Sequence, residues 1–514
     1  MVRLALCHGA IIQGRRIEPG TLLVRDRRIE AILPPGTPLP EVDRQLDASG
    51  MLIAPGFIDA HSHDDVAATD PAVAEAKIRQ GVTTVAIGMD GFGSAPVAPP
   101  WDRELIRYWT PVNGHPGPFQ GASLAALRSR YAGHLALNVV LNVPHANLRI
   151  LASGFQRRAL TPEELSHLIR RVAEGLDQGA AGLTTGLSYV PAAFSDFDEL
   201  RSALSPLAAT SHPYVTHLRD YGIGLFDAVD EALNLARTLD IPVHLSHLHL
   251  SHPALFGRAP DLIAKLDQAL RQGLRVSWDL YPYSAGSSIL HSYLPVWLTE
   301  GGPDAALARL RDEKTLTALS TDPQFAGFDW SRVVIASTPS GRAVGASVQE
   351  LAAQQGQPVA KTVADLLIAE DFSVACVVHQ TDPADDDLLA EHPQAMVGSD
   401  GLPYGQRPHP RYCGTFPAFF QRYVVERRRL TVAEAIAKMT AQPAALYRLA
   451  PQRGTLVPGA AADLVVWDPN HFQTAATYEH PRRMATGVRH VLINGEIVLE
   501  GGIFRPEKRP GEVL

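Results

Sequence analysis

The chain has 514 residues, 46% of them hydrophobic and 19% charged, with a net charge of -8. That composition is ordinary for a soluble globular enzyme, is long enough for one large domain plus smaller ones, and leaves no basic stripe for nucleic acid. The three cysteines, Cys7, Cys376 and Cys413, are far apart and odd in number, which excludes a disulfide framework or a CxxC metal knuckle. No run of 18 apolar residues occurs, and the opening "MVRLALCHGAIIQGRR" turns polar too early for a signal peptide. The expectation is a cytoplasmic protein that binds neither membrane nor nucleic acid.

Residues 1–54 read as short strands, with two β-rich runs flanking Asp26-Arg27. The far end matches them: "AADLVVWDP" is strand-like, and Asn494-Gly495 sits between two apolar runs, a strong hairpin signal. Residues 1–54 and 455–514 are therefore assigned to one small β-domain built from both termini. Between them, β-type and helix-type segments alternate, which predicts parallel strands with crossover helices. Strands are expected at 57–61, 83–88, 136–142, 181–185, 214–217, 243–247, 275–281 and 395–399. Eight is the count a closed (β/α)8 barrel of TIM type requires, here spanning 55–454. Thr161-Pro162 with Glu164, and Thr431 with Glu434, carry helix-start signals. About 115 residues separate the last two strand candidates, too many for a bare loop, so a lid subdomain is expected at about 286–350.

The chemistry-bearing residues fall at predicted strand ends. His61 and His63 follow Phe57-Ile58 at a spacing that puts both on one face of a strand, within reach of one metal ion. His217 ends the fifth strand, His247 the sixth, and Asp400 the eighth. A barrel brings these ends to one face. Two divalent ions side by side need an anion between them. Asp90, after the second strand, stands at the same rim and is a candidate for that anion.

"LIAPGFIDAHSHDD" resembles the first-strand signature of the amidohydrolase superfamily. "GVTTVAIG", "GLTTGLSYVP", "VTHLRD", "DLYPYSAGSS", "VGSDG", "HPRYCGTF" and "RGTLVPGAAADLVVWDP" resemble successive motifs of the N-acyl-D-amino-acid deacylase (D-aminoacylase) family, from about residue 52 to 500. The resemblance implies an amidohydrolase-type barrel with a small terminal β-sandwich domain, an active-site insertion and zinc, one or two ions. It implies metal ligands at His61, His63, His217 and His247, and Asp400 as catalytic acid/base near the metal. Arg411 would contact the substrate carboxylate, and Tyr281 and Tyr283 would line the pocket. Tyr189 and His145, past the fourth and third strands, are further pocket candidates, while His212, His252, His379 and His409 are read as surface or loop residues.

Two departures stand out. Asp90 occupies "GMDG" where the family commonly has a cysteine, and so harder ions than zinc become acceptable. His249 replaces a lysine two residues after His247, which weakens one contact to an anionic substrate. The expected activity is hydrolysis of an N-acyl-D-amino acid to a D-amino acid and a carboxylate, a metal-bound hydroxide attacking the amide. A cyclic-amide hydrolase is the alternative, and a catalytically inactive barrel scaffold a more distant one. The partner is a small-molecule substrate; the sequence leaves a homo-oligomer open.

Overall fold

The computed structural model describes residues 2–117, 121 and 123–514. Eight parallel strands form its centre: β1 (Phe57–Asp59), β2 (Val82–Ile87), β3 (Asn138–Leu141, resumed at Val143–Pro144), β4 (Leu183–Gly186), β5 (Tyr214–His217), β6 (Val243–Leu245), β7 (Val276–Leu280) and β8 (Ala395–Val397). Strands such as Val82–Ile87 are buried along their whole length, as expected where helices cover the outside and side chains fill the inside.

Neighbours pair in chain order, β1 to β3 in one set and the resumed β3 through β8 in another. Two seams join the sets. At β3–β4, Ala181 N–H donates to Leu141 O at 2.7 Å; at β8–β1, Ala60 N–H donates to Val397 O at 3.2 Å and Asp400 N–H to His61 O at 2.8 Å. The barrel is thereby closed.

A buried network tightens the second seam. Asp59, ending β1, accepts from Ser399 N–H at 2.7 Å, from Ser399 Oγ at 2.6 Å and from Lys77 Nζ at 2.6 Å. Lys77 also donates to Ser399 Oγ at 2.7 Å. Lys77 and Asp59 are wholly buried, so their charges are tolerable only as a pair. This clamp fixes His61 and His63 against the turn that presents Asp400.

Both termini feed one nine-stranded sheet with its own core of Leu4, Leu22, Ile53, Leu464 and Leu492. Its longest strand, Arg3–Gln13, has a bulge between Leu6 and Gly9, so its first half pairs with Arg44–Asp47 and its second with Leu52–Pro55. Asn494 (φ 49°) and Gly495 (φ 80°) make the tight hairpin between Val488–Ile493 and Glu496–Glu500. The capping boxes at Thr161 and Thr431 are both formed.

Between β7 and β8 the chain leaves the barrel. Ala285–Ile289, Val333–Ser337 and Ala375–His379 form a separate antiparallel sheet with the last of these in the middle. The inserted unit therefore reaches well beyond residue 350, because its central strand comes last in sequence. Among the described residues no helix is long and apolar enough to cross a membrane.

Candidate metal centre and active site

The strand ends converge. His61 and His63 leave β1, His217 ends β5, His247 follows β6, and Asp90 and Asp400 sit on the turns after β2 and β8. Asp90 (φ 55°), His247 (φ 33°) and Asp400 (φ 47°) all hold left-handed backbone, which an L-residue adopts only when its surroundings enforce it. At Asp90 the enforcing contact is close. A Cβ on Gly186 would lie 2.2 Å from the Asp90 carbonyl oxygen, so only glycine lets β4 pass this turn.

The donor atoms form two groups that share Asp90: His61, His63, Asp90 and Asp400 in one, and Asp90, His217 and His247 in the other. Asp90 Oδ1 lies 3.5 Å from His61 Nε2 and 3.6 Å from His247 Nε2. Its Oδ2 lies 3.7 Å from His63 Nε2 and 3.6 Å from His217 Nδ1. Most of these gaps are long for hydrogen bonds, and His61 Nε2 and Asp90 Oδ1 are buried with no hydrogen-bond partner among the described residues. They suit ions held at about 2.0–2.2 Å from each nitrogen or carboxylate oxygen. The donor set, imidazoles around a shared carboxylate, fits divalent metal.

Outer partners set the ring orientations. Asp279, wholly buried on β7, faces His61 Nδ1 at 3.3 Å and His244 Nε2 at 2.9 Å, and accepts the His247 N–H at 3.0 Å. Asn113 Oδ1 lies 3.0 Å from His63 Nδ1, which leaves Nε2 toward the centre. Ser188 Oγ meets His217 Nε2 at 2.7 Å, so Nδ1 faces Asp90.

Burial disfavours charge on every one of these groups, and the carboxylates and imidazoles offset it for one another. For Asp90, burial would raise the pKa, but His61, His217 and His247 hold it well below the usual carboxylate range. Burial is likewise outweighed at Asp279 by His61 and His244, and at Asp400 by Arg411, His63 and His247, and both carboxyls are held low. Burial pulls the His61 imidazole down, yet Asp279, Asp90 and Asp400 together raise it to about 10. His217 is lowered by burial despite Asp90.

A cavity of about 1290 Å³ opens from this centre, with His63, Asp90, His217, His247 and Asp400 on its floor. Tyr189 and Tyr281 line it, the Tyr189 ring 4.6 Å from that of His217. His249 also lines it, stacked on Tyr221 at 5.0 Å and 3.2 Å from Gln380 Nε2. Burial pushes its imidazole down to about 3, so it stands as a neutral group where a lysine would be charged. Arg411 opens the helix Arg411–Phe420, wholly buried, its Nη2 2.9 Å from Asp400 Oδ2 and its guanidinium 4.4 Å above the Tyr281 ring. Arg411 Nε and Nη1 are buried without a partner among the described residues.

Two expected pocket residues lie elsewhere. Tyr283 follows Pro282, where the chain leaves β7, and packs edge-on against His409 at 5.2 Å behind the cavity wall. His145 begins the helix His145–Ser153 and is buried in the interior away from the cavity, its pKa pushed down to about 4. His409, expected at the surface, is wholly buried: it accepts the Arg411 N–H at Nδ1 and contacts Ala285 O at 2.8 Å through Nε2. It thereby holds the start of the Arg411 helix. His252 stands at the cavity mouth. Asp279, Asn113, Ser188 and Lys77 were not anticipated; only Asp279, at the end of a predicted strand in "WDLYPYS", carried a usable signal.

The amidohydrolase family model matches residues 44–499. The chain is 33% identical to the D-aminoacylase of Alcaligenes xylosoxydans xylosoxydans over 99% of its own length and 96% of that protein's. It is also 33% identical to the N-acyl-D-glutamate deacylase of that organism, over 92% and 88%. The crystal structure of N-acyl-D-glutamate deacylase from Bordetella bronchiseptica, complexed with zinc and a phosphonate inhibitor that mimics the tetrahedral intermediate, superposes with a TM-score of 0.84 at 31% identity, covering 99% of each chain. With the barrel, the histidine and aspartate centre and these near full-length matches together, the chain belongs to the amidohydrolase family, in its N-acyl-D-amino-acid deacylase branch.

Proposed function

We propose that the protein hydrolyses the amide of N-acyl-D-amino acids, releasing a carboxylate and a D-amino acid, with zinc as its metal in one or two ions. The observation that carries this reading is Arg411, a buried guanidinium with two unpartnered nitrogens, 2.9 Å from Asp400 at the edge of the metal centre. Asp400 occupies only Nη2, and the planar fork leaves Nε and Nη1 for a carboxylate adjacent to the scissile amide. The N-acyl-D-amino-acid deacylases among its relatives act on substrates of that kind.

A bound divalent metal supplies Lewis acidity toward the carbonyl and water of lowered pKa. The protein's own residues supply the rest. His61, His63, His217 and His247 would hold the metal, with Asp90, which belongs to both donor groups, as a further ligand. Asp400, kept ionised by Arg411 and His63, is able to accept a proton at Oδ1 and return it to the departing amine. Arg411 fixes the substrate carboxylate with Nε and Nη1 while Nη2 stays on Asp400. Tyr189, Tyr281 and His249 border the substrate.

The same reading takes residues 1–54 with 455–514 as one supporting unit, 55–454 as the catalytic barrel, and the insertion as its lid; the shared nine-stranded sheet supports it. Buried, unpaired Cys7, Cys376 and Cys413 suit the reducing cytoplasm.

A panel of N-acetyl-D- and N-acetyl-L-amino acids tests the activity. The D-enantiomers are turned over and the L-enantiomers react at least about a hundredfold more slowly, a ratio within reach of pocket discrimination. Equal rates, or turnover of cyclic amides alone, would overturn the assignment.

A further inference from the structure

Asp400 and Arg411 decide which way round a substrate lies. The leaving amine takes its proton at Asp400 and its carboxylate meets Arg411, so the amino-acid half lies toward β8. The acyl half then points the other way, past His217 and Ser188, which are bonded to each other at 2.7 Å.

The cavity is large, and on that side apolar side chains line it beneath a charged rim. Its volume of about 1290 Å³ exceeds the roughly 300–1,000 Å³ usual for small-molecule pockets. Leu187, Phe197 and Ile223 line it from the barrel loops, and Val296 and Phe328 from the insertion. Phe328 is braced by Tyr293 at 5.1 Å and Trp330 at 5.2 Å. Ile223 is 70% exposed and Phe197 36%, so large apolar side chains stand open to solvent at the mouth of a cleft, where a ligand would cover them. The charges here are mainly acidic. Asp220 and Asp227 line the mouth beside Asp230, which is paired with Lys265 at 2.6 Å, and the cation Arg219 is bound by Glu231 at 2.9 Å through both Nε and Nη2.

We propose that this half of the cavity is an acyl subsite for a medium-length aliphatic chain, which it prefers both to acetyl and to acyl groups ending in a carboxylate. The apolar walls gain from each methylene they cover, and the acidic rim repels a second carboxylate. This inference rests on the deacylase reading and refines it.

The test measures kcat/KM for the metal-loaded enzyme on one D-amino acid, D-leucine, carrying acetyl, butanoyl, octanoyl or succinyl. A rise of about tenfold or more from acetyl to octanoyl is expected from methylene burial, with succinyl below acetyl. Octanoate is expected to bind more tightly than acetate by calorimetry. Ile223→Asp, a change at an exposed position, is expected to lower the octanoyl-to-acetyl ratio at least about fivefold, as is Phe328→Ser. A flat or falling series with acetyl still hydrolysed, or a ratio unmoved by both variants, would overturn the acyl subsite alone. Failure to hydrolyse any of the four would overturn the deacylase reading and this subsite with it.

Discussion

Asp90→Ala is expected to lose at least one equivalent of bound metal and nearly all turnover. The reason is geometric. Both donor groups contain Asp90, and its two oxygens face four different imidazoles at 3.5–3.7 Å. Remove the carboxylate, and two adjacent cations have no anion between them, so their repulsion at this separation in a buried site expels one. Asp90→Cys places a thiolate at the same turn and is expected to retain zinc and part of the activity, since zinc accepts sulfur ligands well. Elemental analysis of the purified variants, alongside turnover, decides the matter. Full metal content in Asp90→Ala would show that the carboxylate serves only the turn, and any bridge would have to be another group.

Asp400→Asn is expected to keep its metal while turnover falls at least about a hundredfold, the scale of general acid/base catalysis. The amide is nearly the same shape and still meets His63 and Arg411, but it cannot take up and return a proton. Asp400 is also a donor of one metal group, so the measurement must include metal content. An unchanged rate with metal bound would move proton transfer to another residue.

Much of this candidate centre was legible in the sequence because its donor residues stand at or just past strand ends, and a barrel gathers strand ends on one face. His61-Ser62-His63, His217, His247 and Asp400 could be read that way individually. What surrounds them could not. Asp279 orients His61 from 218 residues away, a pairing that depends on which strands become neighbours. Lys77 is on a helix whose sequence, "PAVAEAKI", gives no sign that its lysine turns inward to Asp59. Tyr281 and Tyr283 look equivalent by alternation, yet β7 ends at Leu280, and the turn at Pro282 sends Tyr283 behind the wall. His145 and His409 fail for a related reason: whether a histidine after a strand faces a cavity or a core depends on how the following helix starts. The expected boundary near residue 350 stops short of Ala375–His379, because that strand joins the excursion between β7 and β8 only through antiparallel partners that sequence spacing does not reveal.

Metal removal and restoration on an N-acetyl-D-amino acid tests the assignment most directly. Chelation should abolish hydrolysis, stoichiometric zinc should restore it, and His217→Ala should bind less zinc than the parent protein. A chelated protein, shown by elemental analysis to be metal-free and still hydrolysing the substrate at the full rate, would contradict a metal-dependent deacylase.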